Sequence, residues 1–234
     1  MIDLHSHILP GIDDGAPDLE TSVALVRELY NGGVTDVVAT PHYIDETIYT
    51  SSVATNKKLM RELQKKLKDE DVNVKIHLGN EIYICKEIKK LLKNKKISGI
   101  GSSKYLLIEL PMSGDYPGYQ DIFLELLRDG YKVVLAHPER YTAFSKDFAL
   151  ITELYDMGVL MQCNIGSFVG QYGKSVLKLA KKIAKNKMIF AVGTDIHHVH
   201  GDAFIPEALK KLGKFYSNDE LNEILVENPK KILG

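Results

Sequence analysis

The sequence predicts an α/β fold in which parallel strands close into a barrel with helices around it. Short apolar runs alternate with amphipathic stretches along all 234 residues, which is the pattern of repeated βα units. Several of the runs are almost uninterrupted, as parallel strands buried on both faces require. Residues of metal-ligand type follow at least six runs, whereas an open doubly wound sheet would concentrate its site at one switch point, so we favour the barrel.

Seven apolar runs are the predicted strands. They cover residues 2–7, 36–42, 74–83, 105–111, 132–137, 159–165 and 189–195.

Apolar residues at helical spacing predict helices over 18–31, 53–69 and 174–187. Residues 43–52 lack apolar periodicity, and we expect them to form a loop over the barrel mouth. The tail, 203–234, is expected to be helical, with Ser217 or Asn218 as a helix cap.

The composition predicts one domain, residues 1–234, in the cytoplasm. A hydrophobic content of 44% is enough for one well-buried core. The formal charge of −1 gives no electrostatic case for binding nucleic acid. The N-terminus lacks the pattern of a signal peptide, and no apolar run approaches the roughly 18 residues of a membrane span. Cys85 and Cys163 lie far apart, and we interpret both as reduced packing residues.

Two pairs of residues at strand ends are the clearest candidate metal ligands. His5 and His7 are two residues apart, so both side chains point the same way on a strand. Two imidazoles ending an apolar strand suit one bound ion. Asp195 and His197 repeat this spacing at the end of the last predicted strand.

One histidine and three carboxylates extend this candidate site. His42 closes an apolar run, and Asp14 lies in an Asp-Asp-Gly stretch that is also typical of an ordinary turn. Glu81 and Glu109 each follow apolar runs, where a carboxylate needs a cation or a donor to offset its desolvation. His77 lies four strand residues from Glu81, roughly 13 Å away, so we interpret it as structural.

The stretch His137-Pro138-Glu139-Arg140 adds an imidazole and a guanidinium group at another strand end. The planar guanidinium of Arg140 suits phosphate oxygens, although an ion pair with Glu139 or a neighbouring loop is the alternative. His198 and His200 follow in an irregular stretch, and we interpret them as residues at the rim of the site.

This ligand set is enough for about three ions, and clustered ions are the usual apparatus of phosphoester hydrolysis. The sequence contains no P-loop pattern and no Gly-x-Ser-x-Gly elbow. Neither cysteine is followed by an arginine at the spacing of a cysteine-dependent phosphatase. A metal-dependent hydrolase is therefore the predicted class.

Together these residues resemble the PHP (polymerase and histidinol phosphatase) superfamily. The shared motifs are His5-x-His7, Thr40-Pro41-His42, Gly79-Asn80-Glu81, His137-Pro138-Glu139-Arg140-Tyr141 and Asp195-x-His197. More closely, the chain resembles the manganese-dependent protein-tyrosine phosphatases of bacterial capsule and exopolysaccharide loci over essentially its full length. The more specific marks lie in residues 1–15, 106–111 and 162–167.

The resemblance implies a distorted (β/α)7 barrel of the PHP type and a three-metal site, with Mn²⁺ expected and Fe or Zn²⁺ as alternatives. The implied ligands of the first ion are His5, His7, Glu81 and Asp195. Those of the second are Glu81, Glu109 and His137, and those of the third are Asp14, His42 and His197.

Catalytic roles are expected for Arg140, which falls where the family has a phosphate-binding arginine, and for Asp195 and His42. One feature departs from the family pattern. Members usually carry a second arginine shortly after the last Asp-x-His motif, and His198-Val199-His200-Gly201-Asp202 contains none.

The expected function is hydrolysis of phosphotyrosine in a protein, which the resemblance places on the tyrosine-rich tail of a capsule-assembly kinase. A small-molecule phosphatase, such as a histidinol-phosphate hydrolase, is the rival enzyme. A non-catalytic binding module stabilised by metal is the rival from another class. We expect neither nucleic-acid binding nor membrane insertion, and the sequence leaves homo-oligomer formation open.

Overall fold

The structure, a computed structural model, describes residues 1–114, 116–201 and 204–234. Its strands are β1 (Ile2–Ser6), β2 (Asp36–Ala39), β3 (His42–Tyr43), β4 (Lys75–Leu78), β5 (Glu81–Tyr83), β6 (Tyr105–Glu109), β7 (Lys132–Ala136), β8 (Leu160–Asn164) and β9 (Ile189–Gly193).

The α-helices of the described residues connect these strands and follow the last one. They are α1 (Leu19–Asn31), α2 (Val53–Asp69), α3 (Ile88–Lys93), α4 (Tyr119–Arg128), α5 (Thr142–Lys146), α6 (Ala149–Asp156), α7 (Lys174–Lys185), α8 (Phe204–Leu212), α9 (Asn218–Asn222) and α10 (Asn228–Leu233).

The strands form two parallel sheets that together make the seven strand positions of the barrel. One sheet has the order β1-β2-β4 and the other the order β3-β5-β6-β7-β8-β9. Strand β3 continues the course of β2, and β5 continues the course of β4. The pairs β2/β3 and β4/β5 therefore each occupy one strand position. The α/β barrel expected from the sequence is confirmed.

Two predicted strands were wrong in one respect, because 36–42 and 74–83 each break in the middle. Pro41 has no N–H group to donate to a strand ladder. At the break, the Asn80 side chain hydrogen-bonds to the backbone of two neighbouring segments. Its amide donates to the Pro41 carbonyl at 3.3 Å, and its oxygen accepts from Ser98 N at 3.0 Å. Beyond the breaks the chains pair again, with His42 opposite Glu81.

The ring closes between the last strand and the first. Asp195 N donates to the His5 carbonyl at 2.8 Å, and His7 N donates to the Ile196 carbonyl at 3.2 Å. The two chains approach closely at Gly193, where a Cβ atom would lie 2.5 Å from the Cβ of His5. Glycine is therefore required at this position, just below the ends of the strands.

A buried carboxylate reinforces this closure. Asp3 is fully buried, and its Oδ1 accepts hydrogen bonds from Thr194 N at 2.9 Å and from His5 N at 3.2 Å. The Thr194 hydroxyl donates to the other carboxylate oxygen. One side chain thus joins the strand that carries His5 to the segment that carries Asp195.

The predicted helices and caps agree closely with the structure. Helices α1 and α2 match the predictions to within one residue, while α7 ends two residues early. The described tail is mostly helical, with a turn over 213–217 between α8 and α9. Of the two candidate caps, Ser217 forms a capping box with Glu220. Among the described residues, no helix combines the length and apolar character that a membrane span requires.

Substituting Asp3 with alanine should lower the free energy of unfolding by about 3 kcal/mol, because two buried N–H groups lose their acceptor. Urea denaturation in the presence of chelator measures this without a contribution from bound metal. The control is Asp3→Asn, which keeps an acceptor oxygen and should retain most of the stability. An unfolding midpoint of Asp3→Ala equal to that of the wild type would contradict this account of barrel closure.

Candidate active site

The carboxyl ends of the strands bring together histidine and carboxylate side chains from the whole length of the chain. Their potential ligand atoms fall into three overlapping groups. Within each group, all of these atoms lie within 4.8 Å of one another. The groups are His5, His7, Glu81 and Asp195; His42, Glu81 and Glu109; and His7, Asp14, His42 and His197.

The first group lies around two imidazole nitrogens that face each other. His5 Nε2 and His7 Nε2 are 3.2 Å apart. The opposite nitrogen of His5 lies 2.9 Å from the Gln162 side-chain oxygen, and that of His7 lies 2.9 Å from an Asp13 oxygen. Because these oxygens accept, each Nδ1 carries the proton in the neutral ring, and both Nε2 atoms point lone pairs at one place. This is the arrangement of two histidines that share one cation.

Glu81 connects the groups. Its Oε2 lies 3.1 Å from His5 Nε2, 3.2 Å from His7 Nε2 and 3.0 Å from His42 Nδ1. Its Oε1 lies 2.9 Å from His137 Nε2. The carboxylate is fully buried, and within the described part of the chain Oε2 makes no hydrogen bond despite these close nitrogens. A buried carboxylate oxygen in this position suits a bridge between cations.

The electrostatics of the group also fit divalent ions. Burial lowers the pKa of His5, but the carboxylates of Glu81 and Asp195 outweigh it and raise that pKa to about 9. Burial and the Glu81 carboxylate raise the pKa of Glu109 to about 8. The cluster thus needs positive charge, and ligand atoms of this kind release their protons when a metal binds.

The second group differs from the set that the resemblance implied, because it contains His42 in place of His137. His137 Nε2 is 3.9 Å from Glu109 Oε1, as expected for residues around one ion. His42 Nδ1, however, lies 3.7 Å from Glu109 Oε2. His42 therefore stands between the second and third groups, because its short strand β3 pairs directly with β5.

The third group is the most exposed. Asp14 Oδ1 lies 3.5 Å from His42 Nε2 and 3.4 Å from His197 Nε2, and its side chain is 53% exposed. A hydrogen bond with His197 lowers the pKa of Asp14 to about 2. The Nδ1 atom of His197 lies 2.9 Å from the Asp195 carbonyl oxygen, so Nε2 is again the free ligand atom. This end of the cluster is the one that solvent reaches.

Arg140 lies beside the first group and does not pair with Glu139. Its Nη1 donates to Asp195 Oδ2 at 2.7 Å, and the guanidinium lies 4.5 Å from the ring centre of Tyr172. The Glu139 carboxylate instead accepts from Asn164 N at 2.8 Å and from the Ser167 hydroxyl at 2.7 Å. An ion pair between Arg140 and Glu139 is therefore wrong, whereas the other alternative, an ion pair with a neighbouring loop, is confirmed by Asp195 in the segment after β9.

A cavity of about 250 Å³ opens at this end of the barrel. It is lined by Asp14, Arg140, Gln171, Tyr172, Asp195, His197, His198 and His200. His198 and His200 thus lie in the lining, and the His200 backbone N–H donates to the buried Glu28 at 2.7 Å. Asp202, the last residue of the stretch without a second arginine, lies outside the described residues.

Three residues orient the ligands in a way that the sequence did not predict. Asp13 accepts from His7 and, at 3.1 Å, from His42 N. Gln162 holds His5, and Asn164 donates to Asp195 Oδ2 at 2.8 Å. Gln162 and Asn164 are two polar residues two apart at the end of a buried strand, the same signal that pointed to His5 and His7.

His77 lies apart from the groups above, as its strand spacing predicted. Its Nε2 is 2.9 Å from Asp36 Oδ1, on the strand paired with its own. The partly buried pair joins β4 to β2.

Comparisons with known proteins agree with this fold. The profile of the family "Capsular polysaccharide synthesis, CpsB/CapC" matches residues 1–234. Tyrosine-protein phosphatase YwqE of Bacillus subtilis is 33% identical over 235 residues, which cover 100% of this chain and 91% of YwqE. Tyrosine-protein phosphatase CpsB of Streptococcus pneumoniae is 32% identical over 241 residues, covering 100% and 98%.

Solved structures extend the likeness to three dimensions. A chain from the crystal structures of YwqE and CpsB, described as unique metal-dependent tyrosine phosphatases, superposes with a TM-score of 0.93 at 31% identity, covering 100% of this chain and 94% of that one. A histidinol phosphate phosphatase from Lactococcus lactis gives a TM-score of 0.59 at 16% identity over 92% of this chain and 93% of its own, a likeness of fold alone. The protein belongs to the CpsB/CapC family of capsular polysaccharide synthesis, as its motifs predicted.

Proposed function

We propose that this single-domain protein is a metal-dependent phosphatase that hydrolyses phosphotyrosine in proteins. One observation supports the proposal most directly: two ligand groups share the buried Glu81 carboxylate, the third overlaps them through His7 and His42, and a partly exposed arginine lies beside them. The activity is the one in the names of relatives that match the whole chain. The weaker likeness to a histidinol phosphate phosphatase gives no comparable support for that substrate.

Three ions are proposed, with Mn²⁺ as the metal, because imidazole and carboxylate ligands suit it. We assign His5, His7, Glu81 and Asp195 to the first ion, Glu81, Glu109 and His137 to the second, and Asp14, His42 and His197 to the third. When bound, such ions lower the pKa of a water molecule and stabilise phosphoryl oxygens and a leaving group.

The side chains of the site position a positively charged group for the phosphate of the substrate. Arg140 is held on one side by Asp195 and on the other by the Tyr172 ring, so its guanidinium is fixed where it can bind the phosphoryl oxygens. Asp195 thus serves two roles, as a ligand and as the anchor of Arg140. Its orientation is set by Asn164, which donates to the same carboxylate oxygen. His42, shared by two groups, couples the exposed end of the cluster to its buried centre.

The chemistry of the leaving group agrees with this arrangement. A tyrosine phenolate has a pKa of about 10, so it departs without a strong general acid. A phosphotyrosine also extends its phosphate well away from the peptide backbone, which suits a cavity at a strand-end mouth. The substrate we propose is the tyrosine-rich tail of a bacterial capsule-assembly kinase in the cytoplasm.

Removing metal should abolish activity. Protein dialysed against chelator should lose turnover of p-nitrophenyl phosphate, because the buried carboxylates then lack the cations that bind the substrate. Added Mn²⁺ should restore it, and Fe²⁺ and Zn²⁺ serve as comparison ions. Turnover that survives complete removal of metal, verified by elemental analysis, would rule out the mechanism.

Arg140→Lys should lower kcat/KM for p-nitrophenyl phosphate by about 100-fold, because an ammonium group cannot reproduce the planar fork held by Asp195 and Tyr172. Inhibition by inorganic phosphate should weaken in parallel. The matched control is Arg27→Lys, since Arg27 pairs with Glu70 on an exposed helix surface. Equal phosphate affinity in Arg140→Lys and the wild type would contradict the role given to Arg140.

His42→Ala should reduce both metal content and turnover, with kcat lower by about 100-fold, because His42 is shared by two ligand groups. His77→Ala is the control, since this histidine pairs with Asp36 outside the cluster. Metal content by elemental analysis and the rate on p-nitrophenyl phosphate should distinguish the two variants. If both variants keep the metal content of the wild type, His42 is not a ligand.

A further inference from the structure

One face of helix α7 carries five lysines, and the helix contains no acidic residue. All five lysines are exposed, whereas the opposite side of the helix is buried through residues such as Leu179 and Ile183. Their spacings of three and four residues place them on one continuous surface, which we call the lysine face. The lysine face consists of Lys174, Lys178, Lys181, Lys182 and Lys185.

No carboxylate neutralises this face. Among the residues that the structure describes, none of the five lysines forms an ion pair. On α2, by contrast, Lys66 pairs with Glu70 at 2.9 Å. The Lys182 ammonium lies 4.0 Å from the ring centre of Phe148, which supplies no negative charge.

The spacing of the lysines also costs stability. Like charges four residues apart on a helix repel each other. Three such pairs occur on the lysine face: Lys174 with Lys178, Lys178 with Lys182, and Lys181 with Lys185. A bound polyanion would relieve this repulsion, so the face favours an anionic partner.

The N-terminal end of α7 lies beside the guanidinium that we assign to the phosphate. Tyr172, whose ring contacts Arg140, lies two residues before Lys174, and α7 packs against the short segment that ends in Arg140. Ser175 Oγ lies 2.9 Å from Ser145 Oγ, which joins the first turn of α7 to the helix that follows this segment. Because barrel helices run antiparallel to their strands, the lysine face begins near the mouth and continues down the side of the barrel.

We propose that the lysine face binds further phosphotyrosines of a substrate tail while one phosphotyrosine of the same tail occupies the active site. The inference rests on the proposed function and adds a preference for multiply phosphorylated substrates. Each phosphate carries about −1.5 to −2 charges, so a tyrosine-rich tail with several phosphates complements a row of unpaired ammonium groups. The 12 residues of α7 span about 18 Å, a distance that about six residues of an extended tail cover.

The test compares two synthetic peptides that each contain one central phosphotyrosine. In the first, a tyrosine lies three residues to either side. In the second, phosphonomethyl-phenylalanine replaces both flanking tyrosines, because it carries the charge of phosphotyrosine but is not hydrolysed. The metal-loaded wild type should hydrolyse the second peptide with a kcat/KM about tenfold higher at low salt, the effect of two or three exposed charge pairs. This preference should shrink at high salt, as screening of exposed charges requires.

The variant that combines Lys174→Gln with Lys178→Gln removes the two charges nearest the mouth. It should lose most of the preference for the second peptide, because the flanking anions then lack their nearest partners. Turnover of p-nitrophenyl phosphate, which has no flanks, should stay within about twofold of the wild type, as expected for surface substitutions.

The matched control combines Lys65→Gln with Lys68→Gln, which removes the same charge from two exposed lysines at the C-terminal end of α2. It should keep the full preference. Equal kcat/KM values for the two peptides in the wild type, or equal losses of preference in the control and the lysine-face variant, would overturn the inference. So would a lysine-face variant that keeps the peptide preference but no longer binds anionic lipid vesicles, which would assign the face to a membrane surface. A wild type with metal bound that is inert toward both peptides and p-nitrophenyl phosphate would instead refute the proposed function.

Discussion

Glu81 places a fully buried carboxylate within 3.0–3.2 Å of nitrogen atoms from three histidines, with a fourth histidine at 2.9 Å from its other oxygen. Such a concentration of lone pairs and negative charge away from water is costly unless cations neutralise it. Most other features of the site can be understood as ways of holding these groups in place. Asp13 and Gln162 fix the tautomers of His7 and His5, so that their free nitrogens converge.

The barrel makes this convergence geometrically simple. Parallel strands end at one rim, so residues from the first strand to the last meet there without long side chains. The two broken strands refine the arrangement, since the interruption at Pro41 and Asn80 allows His42 to pair directly opposite Glu81. Closure through Asp3 then fixes His5 against Asp195. Stability and function therefore depend on the same junction between β9 and β1.

The fold class, the seven strand positions and the candidate ligands could be predicted from the sequence, because they depend on local patterns. Continuous apolar runs indicated buried parallel strands, and a carboxylate at the end of such a run needs a cation or a hydrogen-bond donor to offset its desolvation. Pro41 was a local signal for the break in 36–42, because it cannot donate to a strand ladder, whereas the break in 74–83 depends on which neighbours Asn80 bonds. Arg140 shows the same limit. Its adjacent partner in the sequence was Glu139, but its partner in space comes from 55 residues further along the chain.

The segment after Asp195-Ile196-His197, at the edge of the site, differs in sequence from the pattern expected for the family. The chain lacks the second arginine after Asp195-Ile196-His197, and His198, Val199 and His200 occupy that stretch. Histidines line the cavity there, and an apolar side chain faces solvent.

Anomalous diffraction from crystals grown with Mn²⁺ tests the claim that cations occupy the cluster around Glu81. Separate anomalous peaks are expected within bonding distance of the three ligand groups, two of which contain Glu81. A map with no anomalous peak at Glu81, from crystals of protein that turns over p-nitrophenyl phosphate, would contradict it.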